Sequence, residues 1–156
     1  MTTIPVEYLA LFAPHMAKPP VDVAACANEV GLTIYSIELP NGVSGMLKRV
    51  GGDKFECYVD KSEPSVRQRF TAAHELGHFV LHRASIGETH LDNYRLRAAG
   101  MTNWQETQAN AFAADLLMPM GLIAEAMDSG VTSVHDLAQL FKVSEIAMSI
   151  RLGLPT

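Results

Sequence analysis

The 156-residue sequence has few cysteines and no long hydrophobic run. Its two cysteines, Cys26 and Cys57, are too few for a disulfide framework, which excludes the small disulfide-stapled protein classes. No apolar stretch reaches the length of about 18 residues that a membrane span needs. The apolar run YLALFA follows Glu7, lacks a basic segment before it and is interrupted at Pro14. We therefore expect no membrane span and no signal peptide, and we expect a reducing, cytoplasmic compartment.

An excess of basic charge is also missing. The chain has 12 lysines and arginines against 17 aspartates and glutamates, for a net charge of −5. Such a balance does not favour a phosphate-binding surface, so we expect no direct contact with nucleic acid. Hydrophobic residues make up 48% of the sequence and charged residues 19%, which is typical of a folded globular chain. The length is about that of one domain.

The first third of the chain predicts a short helix followed by strands. Asp22 can cap this helix and Gly31 can end it. Strands are predicted at 33–39, 44–50 and 54–60, where β-rich stretches are separated by the turn signals PNG and GGD. We expect these strands to form a small antiparallel sheet.

The pattern of apolar residues and helix breakers predicts that the rest of the chain is mainly helical. A helix begins at Pro64 and continues without a breaker through SVRQRFTAAHELGHFVLH. Residues 83–101 have no clean period and are interpreted as a long surface loop. A second helix is predicted at 103–118, where Pro119 ends it, and GLIAEAMD, SVHDLAQLFKV and SEIAMSIRLG predict further helices.

The predicted fold class is α+β, in one domain with three parts. An N-terminal helix and the small sheet occupy 1–63, two helices and the long loop occupy 64–119, and the C-terminal helices occupy 120–156. The last two helices have the rhythm of a helix-turn-helix and meet near Lys142. The second of them carries one glutamate and one arginine, too little positive charge to hold phosphates, so packing or partner docking is favoured over DNA binding.

The helix after Pro64 contains the motif H-E-x-x-H. His74 and His78 are four residues apart, about 40° around a helix and about 6 Å along it, so both imidazoles can converge on one ion. Glu75 lies between them, where its carboxylate can reach a water on the metal without being a ligand. The arrangement suits zinc, which acidifies such a water while the glutamate accepts its proton. The alternative, two structural histidines on a buried helix, is disfavoured because the motif is rare by chance and the helical context fits.

His82 is a third histidine on the same predicted helix. It lies eight residues beyond His74, about 12 Å along the axis, so one ion cannot bind all three histidines. The longer pattern H-E-x-x-H-x-x-G-x-x-H also fails, because Leu81 and Ala84 stand where it requires glycine and histidine. We interpret His82 as a histidine that hydrogen-bonds behind the ligands or within the core.

The third ligand is expected from the second helix, in NWQETQANAFAADLLMP. Glu106 and Asn110 share one face among alanines. Asn110 would need a partner in this apolar helix, and the second nitrogen of a ligand histidine would supply one. An alternative for Glu106 is a capping box that begins at Asn103. Asp115 lies about 180° from Glu106 and is predicted to face solvent. The expected ligands are therefore two histidines and Glu106, with water in the fourth place.

The two helix motifs together, RQRFTAAHELGHFVLH and ETQANAFAADLLMP, resemble the ImmA/IrrE family of metallopeptidases. PPVDV near the start and VHDLAQLFKVSEIAMSIRLGL at the end extend the similarity over nearly the whole chain. The resemblance implies a zincin-like fold of the gluzincin type, with Zn²⁺ held by His74, His78 and Glu106 and with Glu75 as catalytic base. One ion per chain is expected, and Mn²⁺ is the alternative ion.

Family members are typically encoded by phages, mobile elements or stress-response loci, where they cleave or otherwise relieve a helix-turn-helix repressor. The resemblance therefore implies a zinc endopeptidase whose substrate or partner is such a repressor. Two alternatives stay open: a metal-binding antirepressor or toxin–antitoxin-type partner that acts without cleavage, and a DNA-binding module. The intact Glu75 argues against the first alternative.

The sequence does not name the substrate-binding residues or the group that would stabilise charge on a substrate oxygen. Arg67, Tyr58, Tyr94, His82 and His90 are candidates for that group, although a solvated or structural role is favoured for each of them. The strand KFECYVD runs directly into the catalytic helix, and we expect it to be a sheet edge that can pair with an extended substrate.

Overall fold

The computed structural model describes residues 2–93 and 101–156. The fold is α+β, and its elements in chain order are α1 (Val6–Phe12), α2 (Val23–Glu29), β1 (Thr33–Ile37), β2 (Val43–Gly51), β3 (Lys54–Asp60), α3 (Ser65–Leu81), β4 (Thr89–Asn93), α4 (Asn103–Leu117), α5 (Met120–Asp128), α6 (Val134–Phe141) and α7 (Glu145–Arg151). None of the described helices is long and apolar enough to cross a lipid bilayer.

The four strands form one mixed sheet in the order β1-β3-β2-β4. β2 pairs antiparallel with both β3 and β4, whereas β1 pairs parallel with β3. The prediction of a purely antiparallel sheet is therefore wrong. β1 pairs with the outer edge of β3, and because two chain reversals separate these strands, they run in the same direction.

Two further expectations about strands are corrected. β4 lies within the stretch 83–101 that was interpreted as a loop, and its sequence THLDN has no alternation of strand-forming residues that would have revealed it. Residues 94–100 of that stretch lie outside the described part. β3 is an inner strand, so the prediction that KFECYVD forms a sheet edge is wrong; in the described part the edges are β1 and β4.

Local signals place the helix ends well. The Asp22 Oδ1 atom accepts a hydrogen bond of 3.0 Å from the Ala25 backbone N–H, which caps α2 as predicted. Gly31 follows this helix with a φ of 79°, a conformation that favours glycine. α4 ends at Leu117, two residues before Pro119, because a proline cannot continue the helix.

Helix α3 is the central element of the fold. Every residue from 71 to 79 is buried, because the sheet covers one side of the helix and α4 covers another. Two glycines permit this close packing. A Cβ on Gly45 of β2 would lie 2.5 Å from Cγ2 of Thr71, and a Cβ on Gly77 would lie 3.1 Å from the ring of Phe112 on α4. The motif residues of α3 are consequently held between the sheet and α4.

Two arginines anchor the C-terminal helices to the helices before them. Arg69 of α3 donates hydrogen bonds to the backbone carbonyls of Phe141 and Lys142, at the turn between α6 and α7. Arg151 of α7 donates to the carbonyl of Met118 and forms a 2.9 Å ion pair with Asp115 of α4. α6 and α7 lie where the helix-turn-helix rhythm places two helices; their helix-turn-helix character stays a prediction.

The prediction that Asp115 faces solvent is wrong. Its side chain is only 11% exposed. Besides the pair with Arg151, its Oδ2 atom accepts hydrogen bonds from the backbone N–H and the hydroxyl of Thr3, at 2.7 and 2.9 Å. The side of α4 opposite Glu106 is thus covered by both ends of the chain, which a helical wheel of α4 alone cannot reveal.

Candidate metal centre

Two imidazoles and one carboxylate converge between α3 and α4. One nitrogen of His74, one nitrogen of His78 and one oxygen of Glu106 all lie within 4.8 Å of one another. The three side chains are almost completely buried, with residue exposures of 5%, 0% and 4% respectively. Nε2 of His78 lies 2.6 Å from Oε1 of Glu106, and Nε2 of His74 lies 3.8 Å from Oε2. The structure brings together the residues that the sequence singles out as ligands.

The donor set of this cluster suits a divalent metal ion. Nitrogen and oxygen ligands of a tetrahedral zinc ion, each about 2.0–2.2 Å from the metal, are about 3.3 Å apart. The nitrogen–oxygen separations of 2.6 and 3.8 Å lie on either side of that value. Shifts of less than about 1 Å in these side chains would therefore accommodate one ion.

Glu106 has no role in the helix cap. The capping box of α4 is formed one residue earlier than the sequence alternative supposed, by Thr102 and Gln105. The Thr102 hydroxyl accepts from the Gln105 backbone N–H at 3.1 Å, and the Gln105 side-chain oxygen accepts from the Thr102 backbone N–H at 2.9 Å. The capping alternative for Glu106 at Asn103 is thereby removed.

A hydrogen bond from α4 orients His74. Oδ1 of Asn110 lies 2.8 Å from Nδ1 of His74, so the amide oxygen accepts the Nδ1 proton. This arrangement leaves the lone pair of the imidazole on Nε2, which points toward Glu106. Asn110 itself is exposed rather than enclosed in apolar surroundings, so it lies at the rim of the cluster and not within the core.

His78 is oriented through a second histidine. Nδ1 of His82, at the C-terminal end of α3, lies 2.9 Å from Nδ1 of His78. Nε2 of His82 lies 2.8 Å from Oε1 of Gln108 on α4. His82 is 7% exposed and is hydrogen-bonded behind His78 rather than beside the converging ligand atoms.

Burial and neighbouring charge set the ionisation of the cluster. Burial alone would raise the pKa of Glu106, but the contact with His78 and the charges of His78 and His74 outweigh it and hold that pKa below its ordinary value. Burial lowers the pKa of His82, and it lowers that of His90 to about 4. Glu106 is therefore a carboxylate near neutral pH, while His82 and His90 are neutral imidazoles.

Glu75 lies on the sheet side of the same helix and has no exposed surface. Oε2 of Glu75 is 3.9 Å from Nε2 of His90, which projects from β4. The His90 ring packs against the ring of His78, with centroids 4.7 Å apart. A Cβ on Gly45 would lie 3.5 Å from Oε1 of Glu75, so the backbone of β2 closes the other side of this carboxylate. The cluster could hold an ion, and Glu75, which is linked to His78 through His90, is a second buried carboxylate that could accept a proton.

The other candidates for a group near a substrate oxygen differ in position. Arg67 is half-exposed and forms an ion pair of 3.6 Å with Glu63. Tyr58 donates a hydrogen bond to Glu56 of the same strand, β3. Tyr94 lies outside the described residues. The contacts described for Arg67 and Tyr58 are with residues outside the cluster, whereas Nε2 of His90 lies 3.9 Å from Oε2 of Glu75.

Sequence reasoning missed Gln108. It is two residues from Glu106, about 200° around α4, so a helical wheel places it away from Glu106. It contacts His82 because that histidine lies beyond the end of the regular turns of α3. A second polar amide in an alanine-rich helix was the available signal.

Comparisons with known proteins find similar sequences and a similar fold. Residues 55–153 match the model of Peptidase_M78, the IrrE N-terminal-like domain. The radiation response metalloprotease IrrE of Deinococcus radiodurans is 36% identical over 91 residues, a match that covers 55% of this chain and 26% of that protein. A Mycobacterium tuberculosis transcriptional regulator has a similar fold, with a TM-score of 0.63 at 16% identity, over 97% of this chain and 48% of that one.

The matched region contains β3 except for its first residue and all of α3 and α4, and thus the whole histidine–glutamate cluster. The chain spans about a quarter of the length of the Deinococcus relative and about half that of the mycobacterial one. Since the family model covers well over half of its residues, the chain belongs to the ImmA/IrrE family of metallopeptidases.

Proposed function

We propose that the protein is a zinc-dependent endopeptidase in which His74, His78 and Glu106 hold the metal and Glu75 is the catalytic base. The observation that carries this proposal is the convergence of the three ligand atoms within 4.8 Å beside a second buried carboxylate. A bound zinc ion would act as a Lewis acid on the peptide carbonyl and lower the pKa of a water.

The protein residues perform the proton transfers in this proposal. Glu75 takes a proton from the attacking water and delivers it to the leaving amine nitrogen. Its position between the backbone of β2 at Gly45 and the ring of His90 limits the orientations available to its carboxylate. A restricted base is held near its productive geometry, which reduces the entropic cost of the reaction.

An extended substrate segment is proposed to lie along β4. This strand is the sheet edge on the side of the cluster, and His90 on it reaches Glu75. Pairing with an edge strand requires an extended segment, so only proteins that can unfold locally would be cut. The inner position of β3 makes it unsuitable for this role.

The proposed substrate is a helix-turn-helix repressor, cleaved at one or very few bonds. Membership of the family and the net charge of −5, which favours a basic DNA-binding partner, support this substrate class. Direct DNA binding by α7 is not supported, because its arginine, Arg151, already forms an ion pair with Asp115. Exposed apolar side chains on α7, Ile146 and Ile150, are better suited to a protein contact than to phosphates.

Co-expression with the transcriptional regulator encoded beside the gene tests the proposal. Intact-mass analysis of the regulator should show cleavage with the wild-type protein and none with Glu75→Gln, since the amide keeps the shape of the side chain but cannot accept a proton. Casein incubated in parallel with zinc should remain largely intact. Rapid digestion of casein without preference for the regulator would contradict the proposed selectivity.

The same experiment separates cleavage from binding alone. If Glu75→Gln relieves repression as well as the wild-type protein does, and the regulator keeps its full mass in both cases, the protein acts as a binding antirepressor. A regulator that is cut by the wild type and only bound by Glu75→Gln supports the peptidase.

A further inference from the structure

We infer that Gln108 and His82 are positioning residues that fix the proton of His78, and so determine which of its nitrogens faces the metal. The inference rests on the proposed function, because His78 must be a ligand for its tautomer to matter. It concerns two side chains that do not belong to the set of converging ligand atoms.

With His82 neutral, the two hydrogen bonds place a proton on Nδ1 of His78. The Gln108 Oε1 atom can only accept, so Nε2 of His82, 2.8 Å away, carries a proton. In a neutral imidazole the other nitrogen is then an acceptor, so Nδ1 of His82 accepts from Nδ1 of His78 at 2.9 Å. His78 therefore holds a proton on Nδ1, and Nε2, 2.6 Å from Oε1 of Glu106, is the nitrogen whose lone pair an ion would take in place of a proton.

The opposite arrangement leaves buried groups in conflict. With its proton on Nε2, His78 could not coordinate an ion through that atom. His82 would have to donate from Nδ1, and its unprotonated Nε2 would face the oxygen of Gln108, placing two acceptors 2.8 Å apart. The amide of Gln108 thus acts on the metal site indirectly, through its hydrogen bond to His82 and the hydrogen bond of His82 to His78.

The arrangement parallels that of His74. There the amide oxygen of Asn110 accepts directly from Nδ1. Gln108, Asn110 and the ligand Glu106 are all on α4, whereas all three histidines belong to α3 or its C-terminal cap. One helix therefore carries the imidazoles, and the other carries the acceptors that fix their protons.

Zinc affinity of the full chain provides the test, measured by competition with a chromophoric chelator. Gln108→Met keeps the length of the side chain and removes the acceptor, and the zinc dissociation constant should rise about 10-fold or more. Gln108→Glu restores an acceptor oxygen and should return the constant to within about three-fold of the wild type. Gln139→Met makes the same change at an exposed position of α6 and serves as the control.

Nitrogen-15 spectroscopy of the zinc-loaded, histidine-labelled protein reports the protons directly. A scalar coupling across the hydrogen bond between Nδ1 of His78 and Nδ1 of His82 is expected, with His82 protonated on Nε2. If Gln108 had a purely structural role, Gln108→Met would change the melting temperature but would not weaken zinc binding, and Gln108→Glu would have no zinc affinity to restore.

The outcomes are distinct. Zinc binding by the wild type with an unchanged constant in Gln108→Met, or a His82 proton found on Nδ1, would overturn the positioning role and leave the proposed peptidase standing. A wild-type protein that binds no zinc would overturn both. Weakened binding in Gln108→Met, rescue in Gln108→Glu and no effect of Gln139→Met would establish the role.

Discussion

Gly77 of α3 lies against the ring of Phe112 of α4 so closely that a Cβ at position 77 would stand 3.1 Å from three atoms of the phenylalanine side chain. Phe112 is fully buried and cannot move aside without disturbing the core. The two helices that carry the metal cluster are therefore kept in register by the absence of one side chain.

Gly77→Ala is accordingly expected to lower both stability and zinc affinity. Alanine favours a helix over glycine by about 1 kcal/mol, but forcing a methyl group into a packed core costs about 1–3 kcal/mol. We expect a net loss and a lower melting temperature by calorimetry. Gly121→Ala on α5 is the matched control, because a Cβ there meets no atom within 4 Å and should raise the melting temperature.

Glu106 and Asp115 lie on the same helix and should have separable roles. Glu106→Gln removes the charge of the proposed ligand and should release most of the zinc, measured by elemental analysis after chelator-free purification. The wild type should carry about one equivalent per chain. Asp115→Asn should keep its zinc and lower the melting temperature, because it breaks a buried ion pair with Arg151. Equal zinc retention in both variants would mean that Glu106 is not a ligand.

Neither cysteine should react in the folded protein. Burial, with the nearby charges of Asp22 and Glu29, raises the pKa of Cys26 to about 12, and burial raises the pKa of Cys57 well above its ordinary value. Because the thiolate is the reactive form, both thiols should resist a maleimide at pH 8. Two labels per chain should appear by mass spectrometry after denaturation; fast labelling of the native protein would contradict the burial of these side chains.

The pair of His135 and Glu145 should link α6 to α7 in a pH-dependent way. Nδ1 of His135 lies 3.0 Å from Oε2 of Glu145, and this hydrogen bond raises the pKa of the histidine. A raised pKa in the folded state means that the stabilisation is complete below the ordinary value of about 6.5 and is lost as pH rises through the raised value. The effect should be small, since both side chains are exposed.

Proton NMR can measure this shift. The titration midpoint of His135 should fall toward the ordinary value in Glu145→Gln, while the other histidines keep their midpoints. An identical midpoint in the two proteins would show that the pair does not form in solution.

Much of the candidate site was accessible from local sequence. The four-residue spacing of His74 and His78 has a fixed meaning once α3 is helical, and Pro64 and Pro119 limit the two helices that matter. Glu106 was identified by its place on α4, although a capping box one residue away competed with it. Such inferences succeed because they depend on the geometry of one helix at a time.

Contacts between different helices and strands could not be predicted from the geometry of a single element. The parallel pairing of β1 with β3 joins segments that are more than 20 residues apart, and the polar sequence of β4, on the second edge of β2, gave no sign of a strand. Asp115 was expected in solvent because its helix was considered alone, yet Thr3 and Arg151 reach it from the two ends of the chain. Gln108 meets His82 for a similar reason: the crossing of α3 and α4 brings together side chains that neither helical wheel would pair. Periodicity specifies which face of an element a residue occupies, whereas packing in three dimensions specifies what that face meets.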